Sequence, residues 1–181
     1  MNLLTPVKKI SLGAMCIALC CVLPTAFHAV GLGSILSPMH IPVLLCGIVC
    51  GGGWGALCGI LGPVLSCLIS GMPGPMMLFR MVPELLVYGL AAGLAMKHIR
   101  TGSAAADIYW SLGISMIAGR IAGGIASAIF FTVTSGVYSI ALWATSYIVE
   151  SIPGIIAHLI LVPLLALTLE KAKVIPARYA K

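Results

Sequence analysis

The sequence predicts an all-α integral membrane protein: six transmembrane helices packed as one compact bundle, N-in/C-in, with a lid-like loop between helices 1 and 2. Three observations lead there. Of the 181 residues, 61% are hydrophobic and 8% are charged, whereas a water-soluble domain runs near a quarter charged because its surface has to be solvated. Mean hydropathy is +1.17, so lipid rather than water is the main solvent of the fold. The ten Lys and Arg and the four Asp and Glu are also placed with a pronounced sidedness. Together these exclude intrinsic disorder, a disulfide-stapled secreted module and a nucleic-acid-binding surface.

A helix needs about 17–25 apolar residues to cross ~30 Å of hydrocarbon. Apolar runs fall at 10–27, 41–52, 54–70, 76–96, 108–131 and 145–169, which makes six spans in a single domain, 1–181. The first run follows Lys8-Lys9 and has the outline of a secretory leader; five further apolar runs make it a retained span. A polar stretch from Ser34 to His40 separates it from the second, which is short for a full crossing. Residues 41–70 are read as two helices because Gly51 to Gly55 cannot hold a rigid helix through its middle. Met72-Pro73-Gly74-Pro75, then Lys97 to Asp107, then Thr132 to Ser139 separate the remaining spans. Gly47, Gly51, Gly55 and Gly59 recur every fourth residue, as do Gly89 and Gly93, and Gly119 and Gly123. In lipid, that spacing lets helix backbones approach closely. The cysteines (16, 20, 21, 46, 50, 58 and 67) all lie in apolar stretches without CxxC or Cys/His spacing, which makes them small packing residues.

Charge placement sets the orientation. Lys8 and Lys9 precede helix 1, Lys97 and Arg100 lie between helices 4 and 5, and Lys171, Lys173, Arg178 and Lys181 follow helix 6. All eight fall on one side if both termini are cytoplasmic, and the three opposite loops carry no Lys or Arg, as the positive-inside rule requires. The basic balance therefore needs no acidic partner.

Four charges remain inside predicted spans: Arg80 and Glu84 on helix 4, Arg120 on helix 5 and Glu150 on helix 6. A charge at mid-bilayer costs at least ~2.5–3.5 kcal/mol on insertion scales, so such residues face the bundle interior and usually serve function. Arg80 and Glu84 share a helix face at i,i+4. Counting along the helices puts all four at similar depth in the outer half, where they sum to zero. They are either a ligand site or two structural ion pairs, Arg80–Glu84 and Arg120–Glu150. Helix-disrupting Pro73, Pro75, Pro83 and Pro153 favour a cavity. His28, Ser34, Ser37 and His40 suit a lid over a polar ligand, and Tyr88, Tyr138, Trp143 and Tyr147 can supply aromatic walls. His158, deeper in helix 6, reads as a packing histidine.

The chemistry of an enzyme is not legible. GxxxxGK[ST] and HExxH do not occur, and Gly51 to Ala56 matches a dinucleotide fingerprint without the strand it would need. No cofactor and no metal are expected; binding and translocation fit better.

Three stretches carry a resemblance. Ala14-Met15-Cys16-Ile17-Ala18 in helix 1 is an AxxxA pattern. Ser37-Pro38-Met39-His40-Ile41-Pro42-Val43-Leu44-Leu45-Cys46-Gly47 enters helix 2. Gly51 to Gly59 and Leu65-Ser66-Cys67-Leu68-Ile69-Ser70-Gly71-Met72-Pro73 follow. With six spans and no ATPase motif, the chain resembles the substrate-binding (S) component of an energy-coupling factor (ECF) vitamin transporter over nearly its whole length. The resemblance implies a subunit of the bacterial cytoplasmic membrane that captures a scarce vitamin from outside, beneath the loop between helices 1 and 2. It also implies docking through Ala14 and Ala18 onto a transmembrane coupling subunit, itself bound to two cytoplasmic ATPases, with delivery by toppling of the S component.

The overall pattern is most similar to S components for pantothenate. A small hydrophilic carboxylate needs a buried cation, and Arg80 or Arg120 offers a bidentate fork. Glu84, Glu150, Tyr147 and His40 then serve hydroxyl and amide groups. Pyridoxine, folate or cobalamin are alternative vitamins. A stand-alone proton-coupled secondary transporter using Glu84 and Glu150 is the alternative of a different class.

Overall fold

The computed structural model describes residues 4–29, 31, 37–134, 152–176 and 178. Six helices occupy them: α1 (Pro6–Ala29), α2 (His40–Cys50), α3 (Gly52–Ser70), α4 (Pro75–His98), α5 (Ala104–Thr134) and α6 (Ile152–Lys171). No strand occurs among the described residues. Every helix except α2 is long and apolar enough to cross a membrane, and large apolar side chains such as Ile117, Ile121, Ile125 and Ile129 line the outside of α5. That outward apolar face identifies lipid as the surrounding solvent, and the chain as a multi-pass membrane protein.

The second expected span is corrected. With 11 residues, α2 is ~16 Å long at 1.5 Å per residue, about half the hydrocarbon thickness. It starts part-way across the bundle because the chain ahead of it is already inside: Pro38 and Met39 are buried, and the Cys20 thiol lies 3.8 Å from the Met39 carbonyl oxygen. The described end of the α1–α2 connection is thus sunk among the helices; residues 30 and 32–36 of the expected lid lie outside the described residues. Ten of the eleven α2 residues are buried, and α2 packs against α1, α3, α4 and α6. An apolar helix buried on all sides is a core element rather than a lipid-facing one.

Glycine makes this central position possible. A Cβ built on Gly47 (α2) or on Gly55 (α3) runs into the carbonyl oxygen of Gly89 (α4), and one on Gly55 also comes within 2.6 Å of the Gly47 Cα. Three backbones therefore touch at one point, as the four-residue glycine spacing predicted. The break between α2 and α3 sits at Gly51, with φ 101° and ψ 165°, a conformation open to glycine and strained for residues with a Cβ. Its amide still caps α2 by donating to the Gly47 carbonyl at 3.1 Å.

Cysteines fill the same seam as small packing residues. Cys16 and Cys20 (α1), Cys46 and Cys50 (α2) and Cys58 (α3) are buried free thiols, with the sulfurs of Cys20 and Cys58 3.9 Å apart.

The end of the bundle that holds the N-terminus of α1 and the C-terminus of α6 is closed by one acid. Asp107, in the first turn of α5 and fully buried, accepts from the Thr101 amide at 2.8 Å and its hydroxyl at 2.7 Å. It also pairs with the guanidinium of Arg178. Arg178 donates in turn to the carbonyl oxygens of Met96, at 2.6 Å, and Ile99, while its amide donates to Glu170 at 3.2 Å. The segment after α6 is thereby stapled to the α4–α5 connection. A satisfied buried pair of this kind is costly to break from one side.

Gly89→Val should destabilise the protein by at least about 1–3 kcal/mol through overpacking of the three-backbone contact. Gly113→Ala, on α5 where an added Cβ meets nothing within 4 Å, should raise stability by about 0.5–1 kcal/mol through helix propensity. Thermal unfolding in detergent separates the two, and equal shifts would show that the glycine seam is not a packing constraint.

Candidate functional site

The polar cluster is built where α2 begins. His40 is the first residue of α2, so the half-helix brings its N-terminus, with a partial charge of about +0.5, into the bundle rather than to its surface. Glu84 lies ten residues into α4 and Tyr88 one turn further. His158 lies seven residues into α6. All four are enclosed, exposing 8, 9, 2 and 3% of their surfaces respectively.

Their geometry is specific. Nε2 of His40 stands 3.7 Å from the Glu84 carboxylate, an ion pair when the imidazole is protonated. Its ring meets the edge of Tyr88 at a centroid distance of 5.1 Å and lies near-parallel to His158 at 5.5 Å. The Ser37 carbonyl oxygen serves both imidazoles, 3.2 Å from His40 Nδ1 and 3.4 Å from His158 Nε2. Ser37 has φ +43°, a left-handed conformation that a residue with a Cβ adopts at some strain, and which here aims its carbonyl inward.

The antiparallel register of α4 and α5 sets the remaining depths. Nε of Arg80 donates to the Ser127 hydroxyl at 2.9 Å. A Cβ on Gly123 would lie 2.7 Å from Glu84 Oε2, and one on Gly119 would lie 2.5 Å from the Tyr88 ring. Residues 80, 84 and 88 thus face 127, 123 and 119, turn by turn. The two α5 glycines leave room for a carboxylate and a phenol ring in the α4–α5 seam.

This register corrects two expectations. Glu84 takes His40, not Arg80, as its ion partner among the described residues, because Arg80 turns toward Ser127 on α5. Nor do Arg80 and Arg120 share a depth: Arg120, half-buried, lies seven residues along α5 from Ser127, ~10 Å toward the basic end, and level with Tyr88. Of the expected site residues, the structure brings His40 and Glu84 together. It sets Arg80 one turn above them and Arg120 about one turn below. Tyr147 and Glu150, like Tyr138 and Trp143, lie outside the described residues. Ala14 and Ala18 are exposed on α1, away from the cluster, in a row with Val7, Ser11, Val22 and Thr25 at helical spacing.

His158, Tyr88 and Ser127 enter the cluster from outside the expected core set. An ionisable residue deep in the apolar run of helix 6 is the sequence signal for His158; nothing in the sequence links Ser127 to Arg80 across 47 positions. Among the described residues, no group of three or more His, Cys, Asp or Glu is placed to hold a metal ion. What the cluster offers is recognition: a carboxylate acceptor, two imidazoles, a phenol and a helix N-terminus present both signs of hydrogen bonding inside an apolar bundle, where each is worth more than in water.

No curated protein and no solved structure matches the chain. The family model for the substrate-specific component of ECF transporters matches residues 8–166, a span that begins in the first turn of α1 and reaches into the last turns of α6. With its membrane-spanning helices and enclosed polar cluster, the chain belongs to the ECF transporter substrate-specific component family, and is a transport subunit rather than an enzyme.

Proposed function

We propose that this chain is the high-affinity capture subunit for a small, water-soluble vitamin carboxylate, with pantothenate the best fit, and that it feeds an ECF importer whose ATP hydrolysis resides on separate subunits. The observation that carries the reading is the meeting of the α2 N-terminus, His40 and Glu84 at the centre of an apolar bundle. A carboxylate ligand gains from a helix N-terminus and from a guanidinium fork. Arg80, one turn toward the end opposite the termini, and Arg120, level with Tyr88, are the candidate forks. Hydroxyl and amide groups of the ligand would then be matched by Glu84, His40 and Tyr88, joined in this proposal by Tyr147 and Glu150.

Orientation follows from charge in the same proposal. With both termini cytoplasmic, Lys8, Lys9, Lys97, Arg100, Lys171, Lys173 and Arg178 fall inside, and the cluster opens toward the exterior of a bacterial cytoplasmic membrane. The exposed row on α1 that contains Ala14 and Ala18 would face the coupling subunit, since small residues permit close helix approach in lipid. Two cytoplasmic ATPases would complete the assembly.

Mass spectrometry of the small molecule that copurifies with the protein tests the substrate directly; a neutral or cationic ligand would overturn the carboxylate reading. Arg80→Ala or Arg120→Ala should weaken pantothenate binding at least ~10-fold, about 1.4 kcal/mol, without loss of membrane insertion. Titration calorimetry of both variants measures this, and wild-type affinity in both would make the arginines structural. Ala14→Trp/Ala18→Trp should bind ligand normally yet fail to copurify with the coupling subunit and ATPases. Ion-gradient-driven uptake by the purified chain alone in liposomes would contradict the division of labour.

A further inference from the structure

A cavity of about 480 Å³ lies at the end of the bundle away from the histidine–glutamate cluster. It is bounded by the start of α1, the α2–α3 break, the ends of α4 and α6, and the segment after α6, and it opens to the surface where Lys97 and Arg100 are exposed. Its charged lining is one-sided: Lys9, Lys97, Arg100 and Arg178 against Glu170. The acids of this end are already engaged, for Asp107 is sealed beneath Arg178 and Glu170 accepts from the Arg178 amide. Lys9, Lys97 and Arg100 therefore face the cavity with no carboxylate partner among the described residues.

Orientation in the membrane does not require this convergence. Lys8, Lys171 and Lys173 serve the charge bias equally well, and none of them lines the cavity. A second feature of the wall matches the sign of the cations. Gly51, Gly52 and Gly53 open into the cavity at the N-terminus of the 19-residue α3, which has no side-chain cap. The first backbone hydrogen bond there runs from the Gly55 amide to the Gly51 carbonyl, and a Cβ on Gly53 would meet nothing within 4 Å. Amides at a helix start and lysines from two other elements are the components of a phosphate site.

We propose that this basic cavity binds a phosphate group, distinct from the ligand of the histidine–glutamate cluster. Its source is either the headgroup of an anionic phospholipid, since the cavity lies where the helix ends reach the membrane boundary and basic pockets there take such headgroups, or a soluble phosphate. The site does not depend on the identity of the transported substrate.

Native mass spectrometry of protein released from nanodiscs, with phosphatidylglycerol and phosphatidylcholine in equal amounts, tests the lipid source; thermal stability against inorganic phosphate tests the soluble one. Lys9→Gln/Lys97→Gln/Arg100→Gln is compared with Lys8→Gln/Lys171→Gln/Lys173→Gln, which removes the same charge outside the cavity. Retention of phosphatidylglycerol should exceed that of phosphatidylcholine at least tenfold and fall to parity in the cavity variant alone. A phosphate-dependent rise in melting temperature, lost in the same variant without lipid preference, would assign the site to soluble phosphate. Equal loss in both triple variants, or no preference for any phosphate probe in wild type, overturns the proposal. Should the cavity triple variant fail to fold, the single variants Lys97→Gln and Arg100→Gln should each lower retention two- to threefold, and wild-type retention in both would overturn it equally.

Discussion

The contact on which the rest depends is the meeting of three backbones at Gly47, Gly55 and Gly89. Lipid offers helices no hydrophobic gain for associating, so packing and close approach must hold them together. Here close approach also permits a half-length helix to be enclosed on every side. Had any of these residues carried a side chain, α2 would be pushed outward, and the polar N-terminus that it carries into the bundle would meet lipid. Unsatisfied polar groups in hydrocarbon cost several kcal/mol each. Glycine thus converts a helix too short to span the bilayer into a central post.

That post explains where polarity is tolerated. Ser37, His40, Glu84, Tyr88 and His158 come from three separate stretches of the chain and contact one another beside the space left by Gly119 and Gly123. The cluster has few alternatives: a carboxylate 9% exposed in an apolar bundle needs a partner, and His40 is the group that α2 delivers to it. An enclosed set of donors and acceptors is the form expected of a selective site for a small polar molecule. In the proposed function this set holds the transported substrate.

The two ends of the molecule use charge in opposite ways. Toward the histidine end, charge is sparse and internal. At the other end it is abundant, and two of the four acids of the chain, Asp107 and Glu170, are devoted to Arg178. This staple ties the chain after α6 to the α4–α5 connection and engages the local acids, while Lys9, Lys97 and Arg100 line a common cavity beside it.

The sequence by itself determined the solvent, the approximate limits of most helices among the described residues, the break at Gly51 and the close-packing role of the recurrent glycines. Each of these depends on composition or on local spacing, which a linear chain displays directly. It also marked His40, Arg80, Glu84 and Arg120 as residues out of place in lipid. Only the tertiary structure decided that α2 is a half-span, because its start is set by the burial of Pro38 and Met39 against other helices. It likewise decided that Glu84 pairs with His40 rather than with Arg80 one turn away, that Arg120 sits ~10 Å from the level of Arg80, and that Asp107 is a buried keystone rather than a loop acid. Those outcomes are fixed by interhelical register and rotation, and a register between helices far apart in the chain leaves no periodic trace in either one.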